Sequence, residues 1–107
     1  MDLNESIRLD ADGYLVDLEQ WSDTVADELA RMEGIQLGQR HWAVITILRD
    51  FYRRTGVSPA MRPFVKLARE ELGIEWGSSM ALMKLFPGNP AKVAAKIAGL
   101  PRPSNCI

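Results

Sequence analysis

The chemistry this 107-residue sequence can offer rests on one thiol and one imidazole. Cys106 is the only cysteine and stands one residue from the end, in the segment GLPRPSNCI, residues 99–107. A lone cysteine forms no internal disulfide, and no cysteine–histidine cluster is there to hold zinc. No metal and no cofactor is therefore expected. A thiolate is a good nucleophile that can carry a sulfane sulfur as a persulfide and then be attacked by another thiol. Two prolines within three residues bias the tail toward extended polyproline-type backbone, so the steps from Gly99 to Cys106 span roughly 20 Å. That accessibility suits a sulfur which two proteins must approach in turn. The nearby terminal carboxylate disfavours the thiolate by like-charge repulsion. Activation then falls to Arg102, to a basic surface beneath the tail, or to a partner's site. Position alone leaves open an incidental cysteine in a terminus.

His41, the sole histidine, lies beside Trp42 in the first turn of a central helix, where packing or surface exposure is expected rather than catalysis. No glycine-rich phosphate loop or dinucleotide fingerprint occurs, and the acidic residues of the front segment lack metal-loop spacing.

The elements that must position the thiol read as helices. At the front, SIRLD and GYLVDL are short alternating runs separated by Asp10-Ala11-Asp12-Gly13, which predicts a small β-hairpin. Ser22 fits an N-cap for a helix that places Val25, Leu29 and Met32 on one face and closes at Gly34. Residues 39–54 carry the strongest helical pattern: Val44, Ile47, Leu48, Phe51 and Tyr52 form a stripe, with Arg49, Asp50, Arg53 and Arg54 opposite. Ser58-Pro59 predicts an N-cap followed by proline at the first helical position. That helix would run over 59–72, with Met61, Phe64, Val65, Ala68 and Leu72 inward. The GSS at 77–79 opens a shorter helix ending at Pro87-Gly88. Asn89-Pro90 repeats the cap-plus-proline device for a last helix, with Val93, Ala94 and Ile97 inward and Lys92 and Lys96 one turn apart on the exposed side. Gly99 caps it, and Pro101 and Pro103 prevent its continuation. The expected fold is mainly α, α+β only by the hairpin: a helical domain over 1–98 with a helix-turn-helix-like core, and a flexible arm over 99–107.

Length allows one domain. The sequence is 47% hydrophobic and 25% charged, as in globular rather than disordered chains. No stretch approaches the roughly 20 apolar residues of a spanning helix, and the acidic front segment has no apolar core of a secretory signal. A cytoplasmic, reducing location is expected. The net charge of −1 conceals a division: residues 1–34 carry a net −8 and residues 35–69 a net +6. A basic middle can favour nucleic acid or an acidic partner; equally, the two halves can face and neutralise each other.

HW at 41–42, RDFY at 49–52, SPAMR at 58–62, LFPGNPAK at 85–92 and, above all, IAGLPRPSNCI at 97–107 resemble the DsrC/TusE family. That family includes the partner of dissimilatory sulfite reductase and the sulfur carrier of tRNA thiolation. The resemblance covers nearly the whole chain and implies a helical domain whose C-terminal arm carries an essential penultimate cysteine, here Cys106. In the sulfite-reductase branch a second cysteine precedes it by eleven positions, where this chain has Ala95. The resemblance is thus to the single-cysteine branch. It implies a sulfurtransferase that takes sulfur from an upstream relay complex and passes it to a tRNA 2-thiouridylase, with tRNA contact indirect. Arg62 and Lys92 fall where the family carries basic residues close to the arm. Their implied role is electrostatic, favouring an anionic sulfur or orienting the tail; ordinary solvated helix charge is the alternative for each.

Two other functions fit parts of the sequence. Arg49, Arg53, Arg54, Arg62, Lys66 and Arg69 spread over a helix–turn–helix pair suit a nucleic-acid binder, which would leave the tail unexplained. A partner or regulator of sulfur-oxidising or sulfite-reducing enzymes would need binding without the two-cysteine redox cycle.

Overall fold

Side-chain caps mark the starts of three of the helices. The computed structural model describes residues 7–103, and among these five α-helices are joined by short connections. Helix α1, Asp23–Met32, starts from Ser22, whose Oγ accepts from the Val25 N–H at 3.2 Å. Its core face is Val25, Ala26, Leu29 and Ala30. Met32, expected inward, is 53% exposed; at 100° per residue it lies about 90° round from the centre of that stripe. Helix α2, Gln39–Thr55, buries Val44, Ile45 and Leu48 and ends at Gly56. Ile47, Phe51 and Tyr52 pack at the margin of the core.

Helix α3, Met61–Leu72, corrects an expectation. Ala60, not Ser58, is its N-cap and makes no side-chain cap bond. Pro63 sits in the first turn, where its missing N–H costs nothing. The Ser58 hydroxyl is used elsewhere, as described below. Helix α4, Ser79–Leu85, is capped by Ser78, and helix α5, Pro90–Ile97, by Asn89, whose Oδ1 accepts from the Lys92 N–H at 3.2 Å. Proline opens α5 as the sequence predicts.

The front segment also departs from expectation. Ser6 lies outside the described residues. The rest of the two runs meets at a single antiparallel bridge, Leu9 to Leu15, flanked by Asp10 N–H to Tyr14 O at 2.8 Å and Val16 N–H to Arg8 O at 2.9 Å. Among the described residues no strand forms. The Asp10 carboxylate accepts from the Asp12 and Tyr14 N–H groups and tightens the turn, and a 3-10 turn, Leu18–Gln20, follows at once. The chain therefore folds over the helices before a ladder can extend, and Tyr14 and Leu15 enter the core.

Helix α5 is the centre of the molecule, in contact with α1, α2, α3 and α4. Six of its eight residues are buried: Pro90, Ala91, Val93, Ala94, Ala95 and Ile97. Small alanine side chains let four neighbours approach one short helix, while Phe64, Phe86 and Leu82 fill the space around it. The C-terminal arm thus leaves from the best-packed element of the fold.

Candidate functional site

Cys106 lies outside the described residues; its approach, residues 99–103, does not. Helix α5 closes in a Schellman arrangement, Gly99 N–H to Lys96 O at 3.1 Å and Leu100 N–H to Ala95 O at 2.9 Å. Gly99 has φ +72, and a Cβ there would stand 2.2 Å from the Trp21 ring. Both the left-handed backbone and the close ring exclude any other residue. The Trp21 Nε1–H donates to the Ile97 carbonyl at 2.9 Å. The Arg49 guanidinium lies 3.8 Å above the same ring and donates to the Ala98 carbonyl at 2.7 Å. Trp21 and Arg49 therefore satisfy two of the carbonyls that the end of α5 leaves open. Burial, followed by the charge of Arg53, lowers the Arg49 pKa, and Asp23 opposes that shift.

Beyond Leu100 the backbone stays against the domain. The buried Ser58 hydroxyl donates to the Pro101 carbonyl at 2.6 Å. Arg102 pairs with Asp12 and lies 5.5 Å from the Tyr14 ring centroid, and Pro103 is buried. The flexible arm expected over 99–107 could either fold back on the domain or stand free of it. Within residues 99–103 the Pro101 carbonyl is bonded to the α2–α3 loop and Arg102 to the front turn, while the end of α5 just before them is held by Trp21 and by Arg49 of α2.

The tertiary fold brings Arg102 to Lys92. Together with Asp12, Tyr14 and Lys96 they line an open cleft of about 250 Å³. Lys96 is not freely solvated, as its spacing suggested. It pairs with Glu33 at 3.2 Å and lies 5.4 Å from the Tyr14 ring centroid. Lys92 has no ion-pair partner among the described residues. Arg62 is exposed in the first turn of α3 and does not line this cleft. Three cations against two carboxylates make the cleft a place where an anion is favoured. A second opening, of about 220 Å³, lies by the arm's root between Leu18, Arg49, Tyr52, Arg53, Gly99 and Leu100.

Sequence reasoning missed Trp21, Arg49 and Ser58. Arg49 sits opposite the apolar stripe of α2, Ser58 resembles a cap, and Trp21 precedes a helix start. What each of them touches is set by residues 43 to 76 positions away. The i, i+4 spacing of Lys92 and Lys96 was the usable signal for the cleft.

His41 has a structural place. Its Nδ1 accepts from the Gly38 N–H at 3.1 Å, and its Nε2 lies 2.8 Å from the Leu85 carbonyl, a geometry met by the neutral ring with hydrogen on Nε2. The ring stands edge-on to Phe86 at 5.2 Å. Three of the six basic residues that suited a nucleic-acid binder are committed within the molecule: Arg49 to the Ala98 carbonyl, Arg54 to Asp50, and Arg69 to the Gly77 carbonyl. Among the described residues no set of three histidine, cysteine or acidic side chains could hold a metal ion, and no helix is long and apolar enough to cross a membrane.

Comparison with known proteins places this geometry in context. The family described as DsrC like protein matches residues 3–107. The chain is 50% identical over 101 residues to sulfurtransferase TusE of Sodalis glossinidius, covering 94% of each chain. It is 47% identical over 103 residues to sulfurtransferase TusE of Escherichia coli K12, covering 96% of this chain and 94% of that one. In three dimensions it is similar to DsrC of Allochromatium vinosum, with a TM-score of 0.85 and 40% identity, covering 94% of this chain and 90% of that one. The oxidized gamma-subunit of the dissimilatory sulfite reductase of Archaeoglobus fulgidus gives 0.81 and 40%, covering 94% and 92%.

Proposed function

The chain belongs to the DsrC-like protein family, and from that membership we propose that it is a sulfurtransferase working as a sulfur carrier, with Cys106 as the atom that bears the cargo. The observation that carries this is the pairing of the chain's single, penultimate thiol with an arm whose root is bonded beside a cationic cleft. Relatives at about half identity over nearly the full length are named sulfurtransferases.

The chemistry is an exchange at sulfur. The Cys106 thiolate attacks the outer, sulfane sulfur of a donor's persulfide, and the donor's own thiolate leaves with the electron pair. Cys106 then holds a persulfide. An acceptor thiolate attacks its outer sulfur in turn and Cys106 departs as a thiolate. Each step forms one S–S bond and breaks one, so no external oxidant or reductant enters. With alanine at position 95, the carrier has no second thiol of its own onto which to discharge, and the sulfur must leave to another protein.

In the finer reading, the donor is an upstream relay complex and the acceptor a tRNA 2-thiouridylase, acting on wobble uridine in the reducing cytoplasm. Lys92 and Arg102, which line the cleft, supply the field that favours an anionic sulfur, and Arg62, which does not line it, contributes less. The carrying unit is the domain over 1–98 with its arm over 99–107.

Incubation with a cysteine desulfurase, its relay proteins and cysteine should add 32 Da to the chain, located at Cys106 by mass spectrometry. Cys106→Ser should take up none, and equal uptake by that variant would sink the proposal. The likeness to DsrC structures supports a second reading, a binding partner of sulfite-reducing enzymes. Capture of such an enzyme by the Cys106→Ser protein, together with no sulfur uptake by the wild type, would favour it.

A further inference from the structure

Apart from Tyr14, Ser58 is the one buried residue with a polar side-chain atom among the described residues, 3% exposed. Nothing in its own neighbourhood uses it, since α3 begins at Met61 with Ala60 as its cap. Its hydroxyl donates instead to the Pro101 carbonyl at 2.6 Å, 43 positions along the chain. The Pro101 carbonyl shares a rigid peptide plane with the Arg102 N–H, so one hydrogen bond orients the whole link. On the N-terminal side of that plane, Gly99 and Leu100 are held by the end of α5. On its other side stand the Arg102–Asp12 pair, with side chains 53% and 60% exposed, and the buried Pro103. Exposed pairs of that kind hold weakly in water.

We infer that Ser58 is a positioning residue for sulfur delivery: it pins the Pro101–Arg102 peptide to the domain, so that Cys106 is displaced only by rotation about bonds beyond that link. The inference rests on the carrier function for its consequence, not for its geometry. Five steps separate Pro101 from Cys106, a reach of about 16 Å at the polyproline rise, against about 19 Å if the chain were loose from Leu100, the last residue that α5 holds. The volume the thiol can visit scales as the cube of that reach, so pinning concentrates it about 1.7-fold in front of a docked acceptor. It also restricts its direction of approach. Loss of one ordinary hydrogen bond corresponds to about a two- to tenfold change, and delivery to a protein acceptor should fall by that amount.

The test uses the full chain labelled with nitrogen-15, and the lone cysteine labelled with a nitroxide in a second sample. In the wild type the Arg102 amide should show the same heteronuclear Overhauser effect as the amides of α5. Ser58→Ala should lower it and enlarge the set of amides broadened by the nitroxide, and Ser58→Thr, which keeps the hydroxyl, should restore both. Exchange of Cys106 with the small disulfide DTNB should stay within about twofold in Ser58→Ala, while exchange with a protein-sized mixed disulfide falls two- to tenfold. An Arg102 amide already as mobile in the wild type as a free terminus overturns the inference, whether or not the alanine variant folds. An unchanged Arg102 amide in a folded Ser58→Ala protein overturns it as well. Failure of Cys106 to gain 32 Da would sink the carrier function and leave the Arg102 result standing.

Discussion

The contacts around Trp21 do at the residue scale what a longer helix would do with more chain. Trp21 bonds the Ile97 carbonyl and stands close against Gly99, and Arg49 covers its ring while reaching the Ala98 carbonyl. Gly99→Ala should destabilise the protein by about 2–4 kcal/mol in urea unfolding, through the left-handed backbone and the overlap with the ring. Trp21→Ala should lower the cost of that substitution, so the double variant should fall short of the sum of the singles. Additive costs would show that backbone conformation alone demands glycine. Arg49→Lys keeps the charge but loses the planar stack and the guanidinium's fixed donor. It should cost about 1–2 kcal/mol in the same assay, the range for a desolvated cation over an indole together with one hydrogen bond.

At the scale of elements, the helices were largely legible because each carries its own start and stop. Ser22, Ser78 and Asn89-Pro90 cap as their spacing predicts, and Gly56 and Gly73 end their helices. The cap at Ser58 was misread because serine before proline has the same local signature whether its hydroxyl turns to its own helix or to a distant carbonyl. The hairpin was reduced to one bridge because alternation marks extended backbone but cannot say whether a partner run continues alongside. His41 joins two elements, the entry of α2 and the exit of α4. His41→Ala should cost about 1–3 kcal/mol by leaving the Leu85 carbonyl without its donor. The 32 Da uptake at Cys106 should remain at the wild-type level in that variant. A folded His41→Ala protein that takes up no sulfur would require a chemical role for the imidazole.

For the molecule as a whole, the division into an acidic front and a basic remainder resolves into local pairings. Asp12 meets Arg102 and Glu33 meets Lys96, so part of the front neutralises the charge around the arm, and Lys92 has no carboxylate partner among the described residues. The double variant Lys92→Gln, Arg102→Gln should slow the reaction of Cys106 with DTNB, a dianion, by about two- to tenfold at low salt. The difference should shrink as ionic strength rises. Reaction with neutral iodoacetamide should change by less, and Arg62→Gln should leave both rates within about twofold. An equal effect of Arg62→Gln would place the operative field on α3 instead. The sequence by itself determined the helices, the single thiol, its penultimate position and the alanine at 95, because composition, spacing and caps are properties of neighbouring residues. Only the tertiary structure decided where the arm is held, since Trp21, Arg49, Ser58 and Asp12 act on carbonyls and a guanidinium that lie close in space and far apart along the chain. A hydrogen bond at 2.6 Å between positions 58 and 101 leaves no periodicity behind it to be read.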